Sequence, residues 1–161
     1  MRPGRILATL WLTAAACQAH SETTAKHAEH ASVLAVTTAV FDAIQTKDTD
    51  AMQTQFLAEG ASTRVAAAAP AGASTLTRAS NAAFIARSFE TDASLEERWT
   101  EPPTVLVDGD LALVWGRYVF LLNGEVSHCG TNHVDLVRVG GGWKVTNWTW
   151  SVETTGCPEA P

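Results

Sequence analysis

Val33, Val36, Thr37, Val40, Phe41 and Ile44 recur at spacings of three and four along the chain. That period predicts a helix over roughly 31–46 with one apolar stripe, capped by Ser32 and broken at Lys47-Asp48. Asp48 or Asp50 is placed to cap a second, short helix whose inward face is Met52, Phe56 and Leu57, with Gly60 closing the unit. Residues 61–77 (ASTRVAAAAPAGASTLT) admit two readings. Either 63–67 is a short strand turned at Pro70 and Gly72, or the stretch is a flexible loop of low complexity. Ser80 or Asn81 starts a third helix through Phe89, which offers Phe84, Ile85 and Phe89 to a core.

From residue 95 the pattern becomes extended. Val105-Leu106-Val107 runs into Asp108-Gly109, a hairpin signal, and 111–122 (LALVWGRYVFLL) is rich in strand formers. Asn123-Gly124 suits a type I′ turn, which needs positive φ at both central positions. Residues 126–139, a turn at Gly140-Gly141-Gly142 and residues 143–152 complete a predicted meander of four antiparallel strands. Helices first and a meander after is an α+β order.

The start of the chain is of another kind. Arg2 and Arg5 precede an apolar run, 6–16 (ILATLWLTAAA), of signal-peptide length and too short to span a membrane. Ala14-Ala15-Ala16-Cys17 is compatible with a lipoprotein signal, in which Cys17 is acylated and becomes the N-terminus. It is also compatible with ordinary cleavage, after Ala16 or Ala19, and free secretion, or with a retained anchor. The division that follows is a signal at 1–17, a polar tether at 18–30 (QAHSETTAKHAEH) and one domain at 31–157. The expected location is the periplasm, free or membrane-anchored through a lipid, or else outside the cell. His20, His27 and His30 lie in the tether without a rigid ligand set beside them, so no metal is implied.

Composition narrows the rest. The chain is 46% hydrophobic and 17% charged, a globular balance. Removing a signal leaves about 140 residues, enough for one core. Net charge is −6 and no Lys/Arg cluster exists beyond Arg2 and Arg5, which argues against nucleic-acid binding. With Cys17 lipidated or removed, Cys129 and Cys157 remain as a pair in an oxidising compartment. They are expected to be bridged, at a gain of roughly 3 kcal/mol; the alternative is two free buried thiols.

The order of elements, together with His128-Cys129-Gly130-Thr131, Val134-Asp135-Leu136-Val137-Arg138, Gly142-Trp143-Lys144-Val145 and the terminal Cys157-Pro158, resembles the nuclear-transport-factor-2-like superfamily. That group includes SnoaL-type cyclases, ketosteroid isomerases and small exported proteins labelled lumazine-binding-like. The resemblance covers roughly 31–157. It implies a cone-shaped fold, three N-terminal helices packed on a strongly bent antiparallel sheet, with a ligand pocket at the open end. It implies no single chemistry: isomerase-type members use an acidic base and hydrogen-bond donors, and that trio has no residue-by-residue match here.

Hairpin registers turn the pattern into a site. A two-residue turn at Asn123-Gly124 pairs Trp115 with Asn132, Arg117 with Gly130 and Val119 with His128. A three-residue turn at 140–142 pairs Val139 with Trp143, Val134 with Trp148 and Asn132 with Trp150. One face then carries Trp115, Arg117, His128, Asn132, Trp148 and Trp150, an apolar surface with converging polar groups, as a ligand site requires. His128 is the candidate acid/base, or else a hydrogen-bonded support for the Cys129 bridge. The other face carries Tyr118, Phe120 and Trp143 and is the candidate dimer surface; His133, Asp135 and Tyr118 share it as a polar cluster. Gly-rich phosphate loops, paired-Cys zinc motifs and Gly-x-Ser-x-Gly elbows are absent, and no cofactor is implied.

Two functions are compatible with this. One is an exported binding or accessory protein for an unidentified small hydrophobic or aromatic molecule, homodimeric through its sheet. The other is a small enzyme of isomerase, cyclase or dehydratase type using His128. A buried acid inside the pocket, for example Asp42, Asp50 or Glu59 reaching His128, would favour the second.

Overall fold

The computed structural model describes residues 9–66 and 73–159, with the side chains of 9–22 left aside. Residues 1–8 of the predicted signal and the Pro70-Gly72 turn lie outside the described residues. Helix α1 is Thr9–Thr46 and α2 is Thr49–Gln55. The predicted apolar stripe is buried: Val33, Val36, Val40, Phe41 and Ile44 are all in the core. The helix begins well before residue 31, however. Residues 18–30, expected as a tether, continue it, and Glu29 pairs with Arg138 while Ser32, expected as a cap, accepts from the Trp143 indole at 3.1 Å. Asp48 caps α2, its carboxylate accepting from the Ala51 N–H at 2.8 Å.

Strand β1 (Phe56–Ala66) starts where the second helix was expected to continue. Phe56 still points inward, so its burial is satisfied by strand and helix alike. β2 is Thr75–Ser80, and the third helix is one short segment, α3 (Asn81–Ile85), capped by Ser80. The extended pattern expected from residue 95 begins with β3 (Leu95–Trp99), a strand not counted among the four predicted ones, which are β4 (Thr104–Asp108), β5 (Leu111–Leu122), β6 (Glu125–Val139) and β7 (Gly142–Val152).

The seven strands form one sheet in the order β2-β1-β7-β6-β5-β3, with β4 pairing β5 beyond the end of β3. The expected antiparallel sheet is therefore mixed, because β1 runs parallel to β7. A meander accounts only for pairings between neighbours in sequence; β3–β5 skips β4, and β1–β7 joins strands much farther apart along the chain. The turns at Asn123-Gly124 and Gly140-Gly141 have positive φ at both positions, as the two-residue hairpin requires. The second turn is thus one residue shorter than expected.

Three irregularities bend the sheet. Ser127 is an extra residue in β6, between the Phe120–His128 and Leu121–Val126 pairs. Thr146 is an extra residue in β7, between the Leu136–Val145 and Asp135–Asn147 pairs. Opposite it, β1 spends residues 57–60 between its pairs at Phe56–Val145 and Ala61–Asn147. The fully buried Asn81 binds these last two together. Its amide donates to the carbonyls of Leu57 at 2.8 Å and Thr146 at 3.0 Å and accepts from Ser62 Oγ at 2.9 Å. Gly60 has no alternative here: a Cβ would lie 1.8 Å from the Thr146 oxygen.

Packing α1 over the inner sheet face buries Val114, Val134, Leu136, Val145 and Trp148 against the helix stripe. On the outer face, Cys129 and Cys157 are bridged, with Cα atoms 5.5 Å apart, so the C-terminal tail covers the end of β6. The tail adds backbone bonds between Cys129 and Glu153 in both directions, at 2.8 and 2.9 Å.

Candidate functional site

Between the helices and the inner sheet face lies a cavity of about 250 Å³. Its roof is Val40, Ile44, Met52, Phe84 and Phe89, and its floor includes Phe56, Leu95, Phe120, Trp148 and Trp150. Glu97, Asn132, Tyr118, His128, Ser88 and Arg64 are the polar residues on its wall.

The bulge at Ser127 decides which side chains reach it. With one extra residue in β6, Phe120 faces His128, Tyr118 faces Gly130 and Gly116 faces Asn132. Tyr118 and Phe120, expected outside, are therefore inside together with His128 and Asn132. The same shift carries Trp115 and Arg117 to the outer face. Trp115 is 51% exposed with its ring centroid 5.6 Å from that of His133, and Arg117 pairs with Glu153 at 3.4 Å. Neither touches the cavity, which corrects their assignment as ligand residues; His128, Asn132, Trp148 and Trp150 do line it. Trp143 is buried under the Arg138 guanidinium, 4.2 Å from its ring centroid, and so is no dimer surface. His133 and Asp135 pair at 3.2 Å on the outer face, away from Tyr118.

Glu97 is the residue that the sequence reading missed. It follows Leu95 and precedes Trp99 by two positions each, and both neighbours point into the apolar interior. On a strand that spacing puts Glu97 on the same face. Burial pushes its carboxyl up to about 7, against an opposing pull from the Asn132 amide, which donates to Oε1 at 2.6 Å. Asn132 Oδ1 accepts from the Trp148 indole at 2.8 Å, and Trp148 is stacked on Phe56 with centroids 5.9 Å apart. A packed aromatic thus orients the amide that holds the acid.

Tyr118 crosses over Gly130 and donates to the Ser151 carbonyl at 2.8 Å. Gly130 leaves the space for this; a Cβ there would be 2.1 Å from the same oxygen. Burial, and then the nearby Glu97 carboxylate, push the phenol upward, so it stays protonated. His128 is stacked on Phe120 at 4.8 Å and meets the Tyr118 ring edge-on at 5.9 Å. Burial first, and the Arg64 charge second, hold its imidazole below the usual value, so it is neutral at pH 7. Asp42, Asp50 and Glu59, the acids considered as its partners, are exposed.

The site therefore combines an apolar body, a carboxyl able to gain or lose a proton near neutrality, and a neutral imidazole. Such an acid can donate to a ligand carbonyl or take a proton from a carbon or hydroxyl.

A sequence model described as a SnoaL-like domain matches residues 25–149. No match to the chain is found among curated proteins. Among solved structures, the chain is similar to a candidate aromatic-ring-hydroxylating dioxygenase beta subunit from Novosphingobium aromaticivorans (13% identity, 83% of this chain and 95% of that one, TM-score 0.66). It is also similar to a candidate dehydratase of the nuclear-transport-factor-2-like family from Streptomyces avermitilis (18% identity, 80% and 98%, TM-score 0.61). A third is a nuclear-transport-factor-2-like protein of unknown function from Pseudomonas putida (16% identity, 84% and 97%, TM-score 0.63).

Proposed function

Because the chain belongs to the SnoaL-like family, whose members share a fold more than a reaction, we propose that it is an exported protein that binds a small hydrophobic or aromatic molecule in the cavity described above. The observation that carries this reading is the convergence of Glu97, Asn132 and His128 on an otherwise apolar space of about 250 Å³. Native mass spectrometry of protein purified from its own envelope fraction tests it. A co-purified small molecule, lost in Trp150→Ala and retained in Trp115→Ala and Arg117→Ala, is the expected result. Retention in all three variants would remove the cavity as its site.

A second reading is a small enzyme of isomerase, cyclase or dehydratase type. Glu97 favours it: a carboxyl held at about 7 inside a ligand-sized space is suited to proton transfer. In this reading Glu97 is the acid/base and His128 a neutral hydrogen-bond partner. Turnover of the co-purified ligand by the native protein, abolished in Glu97→Gln with binding intact, separates enzyme from carrier.

Export and the lipid on Cys17 belong to the same proposal and rest on the N-terminal sequence. The mass of the mature N-terminus tests them: a diacylglyceryl Cys17 supports the anchor, and a start at Gln18 or later without lipid removes it. The homodimer is proposed through the outer sheet face, where Leu106, Leu111 and Trp115 are 58%, 62% and 51% exposed. Sedimentation should show a dimer that Trp115→Glu dissociates.

A further inference from the structure

Arg64 stands apart from the arginines that the fold pairs elsewhere. It sits on β1 beside Trp150 of β7 and lines the cavity half-buried. Arg87 is held by the Ala83 carbonyl, Arg117 by Glu153, and Arg138 by Glu29 and Asp110. Among the described residues, Arg64 has no such partner. A half-buried guanidinium on the cavity wall, with no side-chain or carbonyl partner among the described residues, keeps its N–H donors available to a ligand. Glu97 does not neutralise it: the carboxyl is taken up by Asn132. Arg64, Glu97, Tyr118 and His128 all line the same cavity, so its wall carries both a cationic group and a carboxyl. Trp150 and Phe84, with ring centroids 5.4 Å apart, supply flat apolar surface beside the cationic group.

Resting on the binding reading above, we propose that the ligand is an organic acid with an aromatic or apolar body, its carboxylate received by Arg64 and its far end directed toward Glu97. The planar guanidinium fork matches a carboxylate with two parallel hydrogen bonds, which a neutral group cannot reproduce. The neutral imidazole of His128 adds a donor or acceptor beside it without a competing charge.

Calorimetry on the full mature protein at pH 6 tests this with phenylacetate and 3-phenylpropionate against their uncharged amides. At least one acid is expected to bind about tenfold to a hundredfold tighter than its amide, the range for a charge-assisted pair. Arg64→Met should abolish the difference by weakening the acid alone, and Arg64→Lys should keep part of it; melting curves confirm that both variants fold. Acid and amide binding equally well would overturn the anionic assignment while leaving the cavity reading in place. Unchanged acid affinity in Arg64→Met would overturn it as well. Absence of binding by all four probes would overturn both.

Discussion

Asn132 donates to Glu97 at 2.6 Å from one end of an amide whose other end is fixed by the Trp148 indole. An indole N–H can only donate, so the amide oxygen must face Trp148 and the NH₂ must face the carboxyl. The direction of the hydrogen bond to Glu97 is thereby set by the core and not by the cavity's contents.

The first consequence concerns pH. The Glu97 carboxyl is raised from 4.5 to about 7 by folding. A raised acid binds its proton more tightly in the folded state, so its stabilising effect is complete below the unfolded value and is lost as pH rises through the folded one. Between pH 5 and 8 the wild type should lose on the order of 2–3 kcal/mol that Glu97→Gln does not lose. Urea unfolding at the two pH values measures it, and parallel curves for the two proteins would contradict the assignment.

Asn132→Leu should move the Glu97 titration further up, since it removes the hydrogen bond that favours the carboxylate. It also leaves the buried Trp148 N–H without its acceptor, at a cost of about 1–3 kcal/mol. Carbon-13 NMR of the Glu97 carboxyl reads the first effect and chemical denaturation the second. Trp148→Phe should produce a smaller upward shift, through an amide free to turn.

Asn81 lies outside the cavity, and its loss should act on shape. Asn81→Leu strips the Leu57 and Thr146 carbonyls of their donor where β1 and β7 both depart from regular pairing. A loss of about 2–4 kcal/mol is expected, as two partly buried acceptors go unpaired. Hydrogen exchange should show the opening concentrated in β1 and the adjoining part of β7.

Replacing both Cys129 and Cys157 by Ser should lower stability by about 3 kcal/mol, the chain-entropy effect of releasing the loop between them. The protein should still fold, because the helix-sheet core does not depend on the tail. Failure of the double variant to fold at all would show that the tail nucleates β6.

Much of this fold is legible in local patterns. The α1 stripe follows the helical period, and Asn123-Gly124 announces its turn because few other pairs adopt positive φ twice. The bulges carry no such mark. Ser127 resembles any polar strand residue, yet it moves Tyr118 and Phe120 inward and sends Trp115 and Arg117 out. At the next hairpin two departures offset each other. The turn is one residue shorter than its three glycines suggest, and Thr146 adds one, so Asn132 still meets Trp150. The parallel β1–β7 pairing joins segments far apart in sequence and leaves no local trace. Glu97 did leave one, between Leu95 and Trp99, but an acid in a five-residue strand is more readily taken for surface.

Arg138 clamps α1 through Glu29, while Asp110 and the Trp143 ring hold the arginine from the sheet side. Upstream of that clamp the helix continues without interruption past Cys17. At a rise of about 1.5 Å per residue, the stretch from Cys17 to Glu29 spans about 18 Å. An acyl chain on Cys17, as proposed, would then make this segment a rigid stalk. It would hold the domain at a set height and tilt above the bilayer, where a loose leader would let it roam.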